Sequence, residues 1–378
     1  MGKFVLGAKR PLIIAGPCSA ETREQTIETA MQLARSGKVD VIRAGVWKPR
    51  TNPGTFEGIG EPALEWLCEV KEATGLPIAV EVANRAHVQF ALKYNIDILW
   101  IGARTTVSPF AVQEIAEALH DNKDITVLVK NPMTPDIGLW AGAVNRLINE
   151  GIPQENIGLI HRGFAYFGDS KYRNPPMWHT IFEMRSRFPE MMMICDPSHI
   201  CGCRPLLQGI AQQAADLCFD GMMIESHITP DKAWSDASQQ VTPQDCITML
   251  DNIMWRAKSA DDPEFNDELN ICRRQIDQID AEIFDLLNRR MHTSDKIGEI
   301  KKANNVAILQ SNRWEDICRR MLTITRRMGL SEEFVRTVLE AIHVESINRQ
   351  DEIMNKYLIL WQNKNSRFFR NLLFCLIY

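Results

Sequence analysis

The stretch PLIIAGPCSAE, residues 11 to 21, is an apolar run that passes into a short polar segment containing Cys18. Seven further apolar runs follow, separated by longer amphipathic stretches. This alternation is typical of parallel strands joined by helices. The eight runs lie at residues 11–16, 39–45, 77–82, 98–102, 125–130, 157–163, 191–196 and 221–226. Eight strand–helix units in about 250 residues predict an α/β fold of the (β/α)8 TIM-barrel type.

Charged or metal-capable side chains follow these runs at or just beyond their carboxyl ends. The catalytic groups of barrel enzymes lie at this face, because the loops after the strands meet there. We therefore predict an active site at this end of the barrel. The side chains are those of Cys18, Arg43, Glu81, Arg104, Lys130, His161 with Arg162, Asp196 with His199, and Glu225.

Six cations at this face are more than one small anion requires, so we expect two anionic substrates. The chain as a whole has a formal net charge of −5, which gives no reason to expect nucleic acid as a partner. The cations are Arg43, Lys48, Arg50, Arg104, Lys130 and Arg162.

The segment ICDPSHICGC, residues 194 to 203, indicates a metal site, and two versions of that site are open. A closed zinc site would combine His199 with Cys195, Cys201 and Cys203. The spacing of these residues matches no common zinc motif. Cys195 also lies inside a strand, where its side chain would point to the face opposite its neighbours.

The second version takes its ligands from the first, seventh and eighth strand ends, which are neighbours where the barrel closes. One thiolate, one imidazole and two carboxylates form a donor set of mixed softness that suits a divalent transition ion. Manganese is our first choice, and iron, cobalt and zinc are the alternatives. The ligands would be Cys18, His199, Glu225 and Asp236.

Cysteine content and hydropathy narrow the class of protein. Ten cysteines are too few for a disulfide scaffold in a chain of 378 residues. We find no apolar stretch of signal-peptide length near residue 1 and no run of about 18 apolar residues. We therefore expect a cytoplasmic protein without a membrane partner, with the barrel over residues 1–258.

The residues after 258 predict a separate, all-α domain. A polar linker is expected at residues 259–267, and helices are expected over residues 268–304, 311–327 and 331–356. Residues 357–378 are expected to form an extension without an assigned role. Arg290 and Lys301 lie about three turns apart on one face of the first helix, where they could grip the two ends of a small dianion.

The strand-end motifs resemble those of a known family. In order they are AGPCSAE, RAGVWKPRTNPGTFEG, IGARTT, LVK, HRGF, DPSH and ESHITPDKAWSDASQQ, within residues 11–240. They look like the active-site motifs of the 3-deoxy-D-arabino-heptulosonate 7-phosphate (DAHP) synthases of type I beta, which begin the shikimate pathway of aromatic amino acid biosynthesis. KPRT at residues 48–51 distinguishes the chain from the related octulosonate 8-phosphate synthases.

This resemblance implies a condensation of phosphoenolpyruvate with erythrose 4-phosphate. A bound metal ion would polarise the aldehyde of the sugar as a Lewis acid. By the family pattern, Arg104, Lys130 and Arg162 would hold the phosphate of phosphoenolpyruvate. Arg43 and Lys48 would hold its carboxylate.

The pattern also implies roles toward the second substrate. Arg50 and Thr51 would hold the phosphate of erythrose 4-phosphate. Lys130 would help to neutralise or protonate the alkoxide that forms after carbon–carbon bond formation. Glu81 is a candidate for activating the water that then adds.

A second resemblance covers residues 268–355 and concerns the helical class of chorismate mutase. It implies a dimer through the long first helix and the rearrangement of chorismate to prephenate. Arg290, with Arg273 from the partner chain, would bind carboxylates, and Lys301 and Gln350 would lie near the ether oxygen. The matching positions are Arg273, Arg290, Lys301, Arg313, Ser346 and Gln350.

The chain departs from the mutase pattern in one segment. Where the family has an acidic residue, an arginine and then a glutamate, this chain has Gln310, Arg313 and Trp314. The glutamate that would hold the substrate hydroxyl is missing, unless Glu315 replaces it through a shifted register.

Three functions are therefore open. The first is a bifunctional synthase and mutase that acts on phosphoenolpyruvate, erythrose 4-phosphate and chorismate. In the second, the helical domain is a sensor that binds prephenate or chorismate and regulates the barrel allosterically. The third is a metal-binding barrel without catalysis. We expect a homodimer through the helical domain or a higher oligomer.

Overall fold

The computed structural model describes residues 4–49, 54–257, 259–309 and 311–375, with side chains described over 313–355 in the last of these ranges. Arg50, Thr51 and Gln310, which carry expectations from the sequence, lie outside the described residues. The chain forms two compact units, residues 1–258 and 259–378. Among the described residues, we find no helix with the length and hydropathy needed to cross a membrane.

The first unit contains eight parallel strands, which are β1 (Leu12–Gly16), β2 (Val41–Ala44), β3 (Ile78–Val82), β4 (Ile98–Ile101), β5 (Thr126–Lys130), β6 (Ile157–His161), β7 (Met192–Cys195) and β8 (Gly221–Glu225). They form a closed barrel in chain order. Five residue pairs, from Leu12↔Gly221 to Gly16↔Glu225, join β1 to β8 and close it. The TIM-barrel prediction is confirmed, and every predicted strand is present.

Helices follow the strands and cover the barrel, as expected for parallel strands buried on both faces. Several begin with a side-chain cap; Thr22, Asn84 and Thr242, for example, each accept a backbone N–H of the first turn. The helices are α1 (Arg23–Arg35), α2 (Glu61–Thr74), α3 (Arg85–Lys93), α4 (Ala103–Thr106), α5 (Pro109–Ala118), α6 (Ile137–Asn149), α7 (His179–Arg187), α8 (Pro197–Cys201), α9 (Leu207–Asp216) and α10 (Pro243–Asp251).

Side-chain alternation along the strands decides which residues face the barrel interior. The interior is filled by an apolar cluster of Leu6, Leu12, Ile14, Val41, Ala79, Ile98, Trp100, Leu128, Ile160, Met192, Ile194 and Met223. Six strands also carry a charged residue at the carboxyl end. Each of these residues follows an inward-facing residue of the cluster by two positions, so it lies on the same face. These residues are Arg43, Glu81, Lys130, Arg162, Asp196 and Glu225.

His161 has the opposite orientation because it follows the inward-facing Ile160. Its ring lies among the aromatic rings of Phe164, Trp178 and Phe219, with centroids 5.4 to 6.1 Å away. Burial lowers the pKa of His161 to about 3. The interpretation of His161 as a group of the active face is therefore wrong, because it packs between the barrel and its helices.

The described part of the second unit contains three helices, α11 (Pro263–Ala303), α12 (Ser311–Arg326) and α13 (Glu332–Cys375). The start of α11 corrects the predicted linker at residues 259–267, since residues 263–267 are helical. Asp262 caps this helix by accepting the backbone N–H groups of Glu264 and Phe265, and Pro263 occupies its first turn.

The end of α13 also differs from prediction, since this helix continues to Cys375 instead of ending at residue 356. Gly298 lies where α11 and α13 pack together. A β-carbon at Gly298 would lie 3.2 Å from Cγ and 3.3 Å from Cα of Gln350. The glycine therefore permits a close approach and does not interrupt α11.

Candidate active sites

Three of the four predicted metal ligands lie together where β1 and β8 meet. The Cys18 thiol and one carboxylate oxygen each of Glu225 and Asp236 all lie within 4.8 Å of one another. Cys18 Sγ is 3.5 Å from Asp236 Oδ2. The fourth residue, His199, is adjacent, with Nε2 3.7 Å from Glu225 Oε1. We call Cys18, Glu225 and Asp236 the donor group.

The donor group has the properties expected of residues that hold a cation. Glu225 Oε1 is buried; it accepts no hydrogen bond from any described residue, and Arg43 Nη2 forms an ion pair with it at 3.3 Å. Burial, together with the charge of Glu225, raises the pKa of the Cys18 thiol to about 12. A buried thiol beside carboxylates is ionised when a cation binds it. The residues therefore fit a divalent transition ion.

The closed zinc version of the site is not formed. Cys195 and Cys201 are buried in the apolar cluster between strands and helices. Cys203 is half-buried. Over the described ranges, none of these three thiols belongs to a group of metal-capable atoms.

Beside the donor group lies a cavity of about 100 Å³ with a strongly cationic lining. Arg43 lies nearby, 1% exposed, with Cζ 4.7 Å from the ring centroid of Trp100. Burial lowers the pKa of Arg162 to about 10, which still leaves this guanidinium charged at neutral pH. The cavity is lined by, among others, Lys48, Glu81, Arg104, Lys130, Arg162, Arg173 and His199.

Lys48 connects the cationic cavity to the donor group. Its Nζ donates to the carbonyl oxygen of Cys18 at 3.1 Å and lies 3.0 Å from Cys18 Sγ. A cation at this distance stabilises a thiolate. Lys48 is therefore placed to touch both a bound anion and a metal ligand.

Asp196 joins two predicted site residues, a link that sequence reasoning missed. Its Oδ2 accepts from Lys130 Nζ at 2.7 Å and lies 2.8 Å from His199 Nδ1. Burial would raise the pKa of Asp196, but His199 and Lys130 hold it well below its usual range. With Nδ1 turned to this carboxylate, Nε2 of His199 faces Glu225 and is available to a metal. The position of Asp196, two residues after the inward-facing Ile194, could have indicated that its side chain also faces the barrel interior.

The second unit contains a cavity of about 410 Å³ between its three helices. It is lined by five of the six residues predicted from the mutase pattern, namely Arg290, Lys301, Arg313, Ser346 and Gln350. Arg273 is exposed and does not line this cavity.

Hydrogen bonds hold the polar groups of this cavity in place. Arg290 Nη1 donates to Ser346 Oγ at 2.5 Å, and Lys301 Nζ donates to the carbonyl oxygen of Ile308 at 2.5 Å. Gln350 Nε2 donates to Ser294 Oγ at 3.0 Å, whereas its buried Oε1 has no partner among the described residues. Burial lowers the pKa values of Arg290 and Lys301.

Trp314 lines the cavity at the position where the mutase pattern has a glutamate. Its ring stacks on that of His343, with centroids 4.4 Å apart. Glu315 is exposed and does not line the cavity, so the shifted register is not seen. None of the described residues that line this cavity is acidic.

Comparison with known proteins agrees with this division into two sites. The DAHP synthetase I family model matches residues 3–261, and the chorismate mutase type II model matches residues 272–351. A phospho-2-dehydro-3-deoxyheptonate aldolase of Thermotoga maritima is 32% identical over 64% of this chain and 68% of its own. A 2-dehydro-3-deoxyphosphooctonate aldolase of Geobacter metallireducens is 28% identical over 66% of this chain and 94% of its own.

The barrel is also similar to solved structures of DAHP synthases. The crystal structure of the DAHP synthase of Thermotoga maritima has a TM-score of 0.59 and 30% identity, over 65% of this chain and 69% of that one. A truncated form of a synthase from the same organism has a TM-score of 0.56 and 26% identity, over 65% and 86% of the chains. The chain therefore belongs to the DAHP synthetase I family and carries a chorismate mutase type II domain after its barrel.

Proposed function

We propose that the barrel condenses phosphoenolpyruvate with erythrose 4-phosphate to DAHP and phosphate, and that the helical unit rearranges chorismate to prephenate. The observation that carries the first activity is the cationic cavity next to the donor group. A dianionic phosphate and a carboxylate need several fixed cations. A carbonyl substrate needs an electrophilic partner, which the donor group would hold within reach of the same cavity.

In the barrel, we assign anion binding to the cations of the cavity. Arg104, Lys130 and Arg162 hold the phosphate of phosphoenolpyruvate, and Arg43 and Lys48 hold its carboxylate. The ion pair with Asp196 keeps the Lys130 side chain in place before substrate binds. After the new carbon–carbon bond forms, Lys130 is positioned to stabilise or protonate the resulting alkoxide.

For the second substrate, we propose Arg50 and Thr51 as the phosphate-binding residues. Glu81 lines the cavity and is our candidate for orienting the water that adds to the former phosphoenolpyruvate carbon. Phosphate then leaves from that carbon, which completes the reaction.

We propose a divalent metal ion as cofactor, held by Cys18, Glu225 and Asp236, with His199 as the fourth ligand. Manganese is the first candidate, and iron, cobalt or zinc would also suit the donors. When bound, the ion supplies Lewis acidity toward the aldehyde oxygen of the sugar. Lys48 and Arg43 balance the negative charge of the ligands.

In the helical unit, we propose catalysis by electrostatic complementarity alone. Arg290 holds one carboxylate of chorismate in the compact reactive conformer. Lys301 and Gln350 stabilise the negative charge that grows on the ether oxygen. The cavity is of suitable size for one small dianion. Gln350 Oε1, which no described residue contacts by a hydrogen bond, is available to a ligand.

We also propose that two chains associate through α11. Four isoleucine and leucine side chains in this helix, Ile276, Ile279, Ile283 and Leu286, are 47 to 58% exposed. Apolar side chains repeated along one helix in this way favour a helix–helix interface. Such a dimer would bring Arg273 of one chain to the other chain's mutase cavity.

The barrel activity is tested by phosphate release from phosphoenolpyruvate with the full-length protein. Release should require erythrose 4-phosphate, should stop on treatment with a chelator, and should be lost in Cys18→Ala and His199→Ala. Release that continues in metal-free protein would contradict the proposed role of the donor group. Absence of any release would favour a metal-binding barrel without catalysis.

The helical activity is tested by conversion of chorismate by the full-length protein. Turnover that is lost in Arg290→Met would support the mutase. Prephenate binding without turnover would instead favour the regulatory sensor, which stays a prediction. Coupling between the units would then appear as inhibition of DAHP formation by prephenate.

A further inference from the structure

We propose that two adjacent glutamines, Gln239 and Gln240, are positioning residues that fix how the donor group presents its ligand atoms. The inference rests on the metal site proposed above. Both side chains lie in the segment after β8 and are 0% exposed. A buried primary amide needs partners for its oxygen and for its nitrogen, so the contacts of these two residues show what they hold.

Gln240 ties the beginning of the barrel to its end. Its Oε1 accepts the backbone N–H of Cys18 at 2.9 Å, and its Nε2 donates to the carbonyl oxygen of Ser235 at 2.8 Å. The hydroxyls of Ser19 and Ser235, 2.5 Å apart, form a second link between the same segments. Because Ser235 precedes Asp236, Gln240 sets the spacing between the thiol and this carboxylate.

Gln239 contacts one carboxylate of the donor group directly and is linked to the other through Arg173. Its Nε2 donates to Glu225 Oε2 at 2.7 Å, and its Oε1 accepts from Arg173 Nη1 at 3.0 Å. The same Nη1 donates to Asp236 Oδ1, also at 3.0 Å. One oxygen of each carboxylate is therefore engaged by a neighbouring side chain.

The other oxygen of each carboxylate faces the donor group. Glu225 Oε1 lies 3.7 Å from His199 Nε2 and forms an ion pair with Arg43 Nη2 at 3.3 Å. Asp236 Oδ2 lies 3.5 Å from Cys18 Sγ. Binding of an ion through both oxygens of Glu225 would require Oε2 to leave the Gln239 amide. Gln239 at Glu225 and Arg173 at Asp236 thus favour one coordination position per carboxylate, which leaves positions open for a substrate oxygen.

The backbone at Asp236 supports this role. Asp236 has a φ of +46°, a conformation that non-glycine residues seldom adopt. It persists only where surrounding contacts fix it. The backbone N–H of Gln239 donates to the carbonyl oxygen of Asp236 at 3.2 Å and is one such contact.

Cobalt(II) tests the inference without reference to activity. Full-length, metal-free protein is titrated with cobalt chloride, and affinity is measured by competition with a chromophoric chelator. A thiolate-to-cobalt absorption band that disappears in Cys18→Ser establishes binding at the donor group. We expect Gln239→Met to weaken cobalt binding about 10- to 100-fold and to reduce the visible bands, because Glu225 becomes free to bind through both oxygens.

Two further variants complete the design. Gln244→Met removes an exposed glutamine of α10 and should bind cobalt as the wild type does. Arg173→Met removes the partner shared by Gln239 and Asp236; because the Arg173 side chain is 48% exposed, the fold should persist, and the spectrum should shift in the same direction. If Gln239→Met fails to fold, Arg173→Met decides the question.

The outcomes distinguish the positioning role of the glutamine from the existence of the metal site. Wild-type spectra and affinity in both Gln239→Met and Arg173→Met would overturn the positioning role while leaving the metal site in place. Absence of the thiolate band in the wild type would overturn the metal site, and the inference with it.

Discussion

The indole ring of Trp314 lies almost flat against the imidazole ring of His343, with centroids 4.4 Å apart and an angle of 22° between the planes. Burial lowers the pKa of His343, and Arg290 and Lys301 lower it further. The imidazole is therefore neutral at pH 7. The pair forms an uncharged wall in a cavity whose charged lining residues, among those described, are all cationic.

We predict that Trp314→Glu raises the mutase kcat/KM by about 10-fold, because a carboxylate would accept the substrate hydroxyl in a charged hydrogen bond. Chorismate consumption followed by absorbance measures the change. Glu315→Gln is the matched control and should leave the rate unchanged, since Glu315 is exposed. An unchanged or lower rate in Trp314→Glu would show that the stacked pair itself supports catalysis.

We predict that Arg290→Met reduces mutase kcat/KM by about 100-fold or more, because a fixed cation at a substrate carboxylate is lost. The free energy of unfolding should stay equal or rise, since burial lowers the pKa of this arginine and its desolvation costs free energy in the folded state. Urea denaturation and mutase assays on the same sample test both. A fall in both quantities would assign Arg290 a structural role.

We predict that Lys48→Ala raises the KM for phosphoenolpyruvate about 30-fold or more, as expected when one partner of a desolvated charge pair is truncated. Lys93→Ala is the control, because Lys93 is exposed and pairs with Glu61 away from the cavity. Phosphate release at varied phosphoenolpyruvate concentration gives the KM values. An unchanged KM would remove Lys48 from the carboxylate site.

We predict that His161 makes the barrel labile to acid. Its pKa is lowered to about 3 in the folded state, so the unfolded chain binds a proton that the folded chain does not between that value and about pH 6.5. Stability attributable to this residue is lost at about 1.4 kcal/mol per pH unit as pH falls below 6.5.

His161→Phe should therefore flatten the decrease in the free energy of unfolding between pH 7 and pH 5, measured by urea denaturation. His179→Phe changes an exposed histidine of α7 and should leave the decrease as it is. Equal slopes in His161→Phe and the wild type would contradict the assignment.

The strands of the barrel were predictable because parallel strands buried on both faces appear as short apolar runs. The inward-facing charges were predictable from the same runs, since Arg43, Lys130 and Glu225 each lie at or near the carboxyl end of one. His161 was wrongly assigned to the active face because it was grouped with its neighbour Arg162. Side chains alternate along a strand, so the residue after the inward-facing Ile160 points outward. The helix α13 was predicted to end too early because the apolar and aromatic residues after 356 show no clear helical period.

The contacts that organise the sites were not predictable in the same way. Gln239 and Gln240 are uncharged and lie in an irregular segment, so their burial depends on tertiary structure alone. The Lys130–Asp196 pair joins the carboxyl ends of β5 and β7, which come close because both pair with β6. The Trp314–His343 stack joins two helices, and the sequence showed only that a glutamate was missing.

Closure of the barrel by β1 and β8 also determines when the metal-binding residues can come together during synthesis of the chain. Cys18 and Asp236 are separated by 218 positions, so their side chains come together only after almost the whole barrel has been made. Contacts between such distant segments form late, after the cost of closing a long loop has been overcome. Metal binding by a nascent chain would therefore indicate that all eight strands of the barrel have formed and paired.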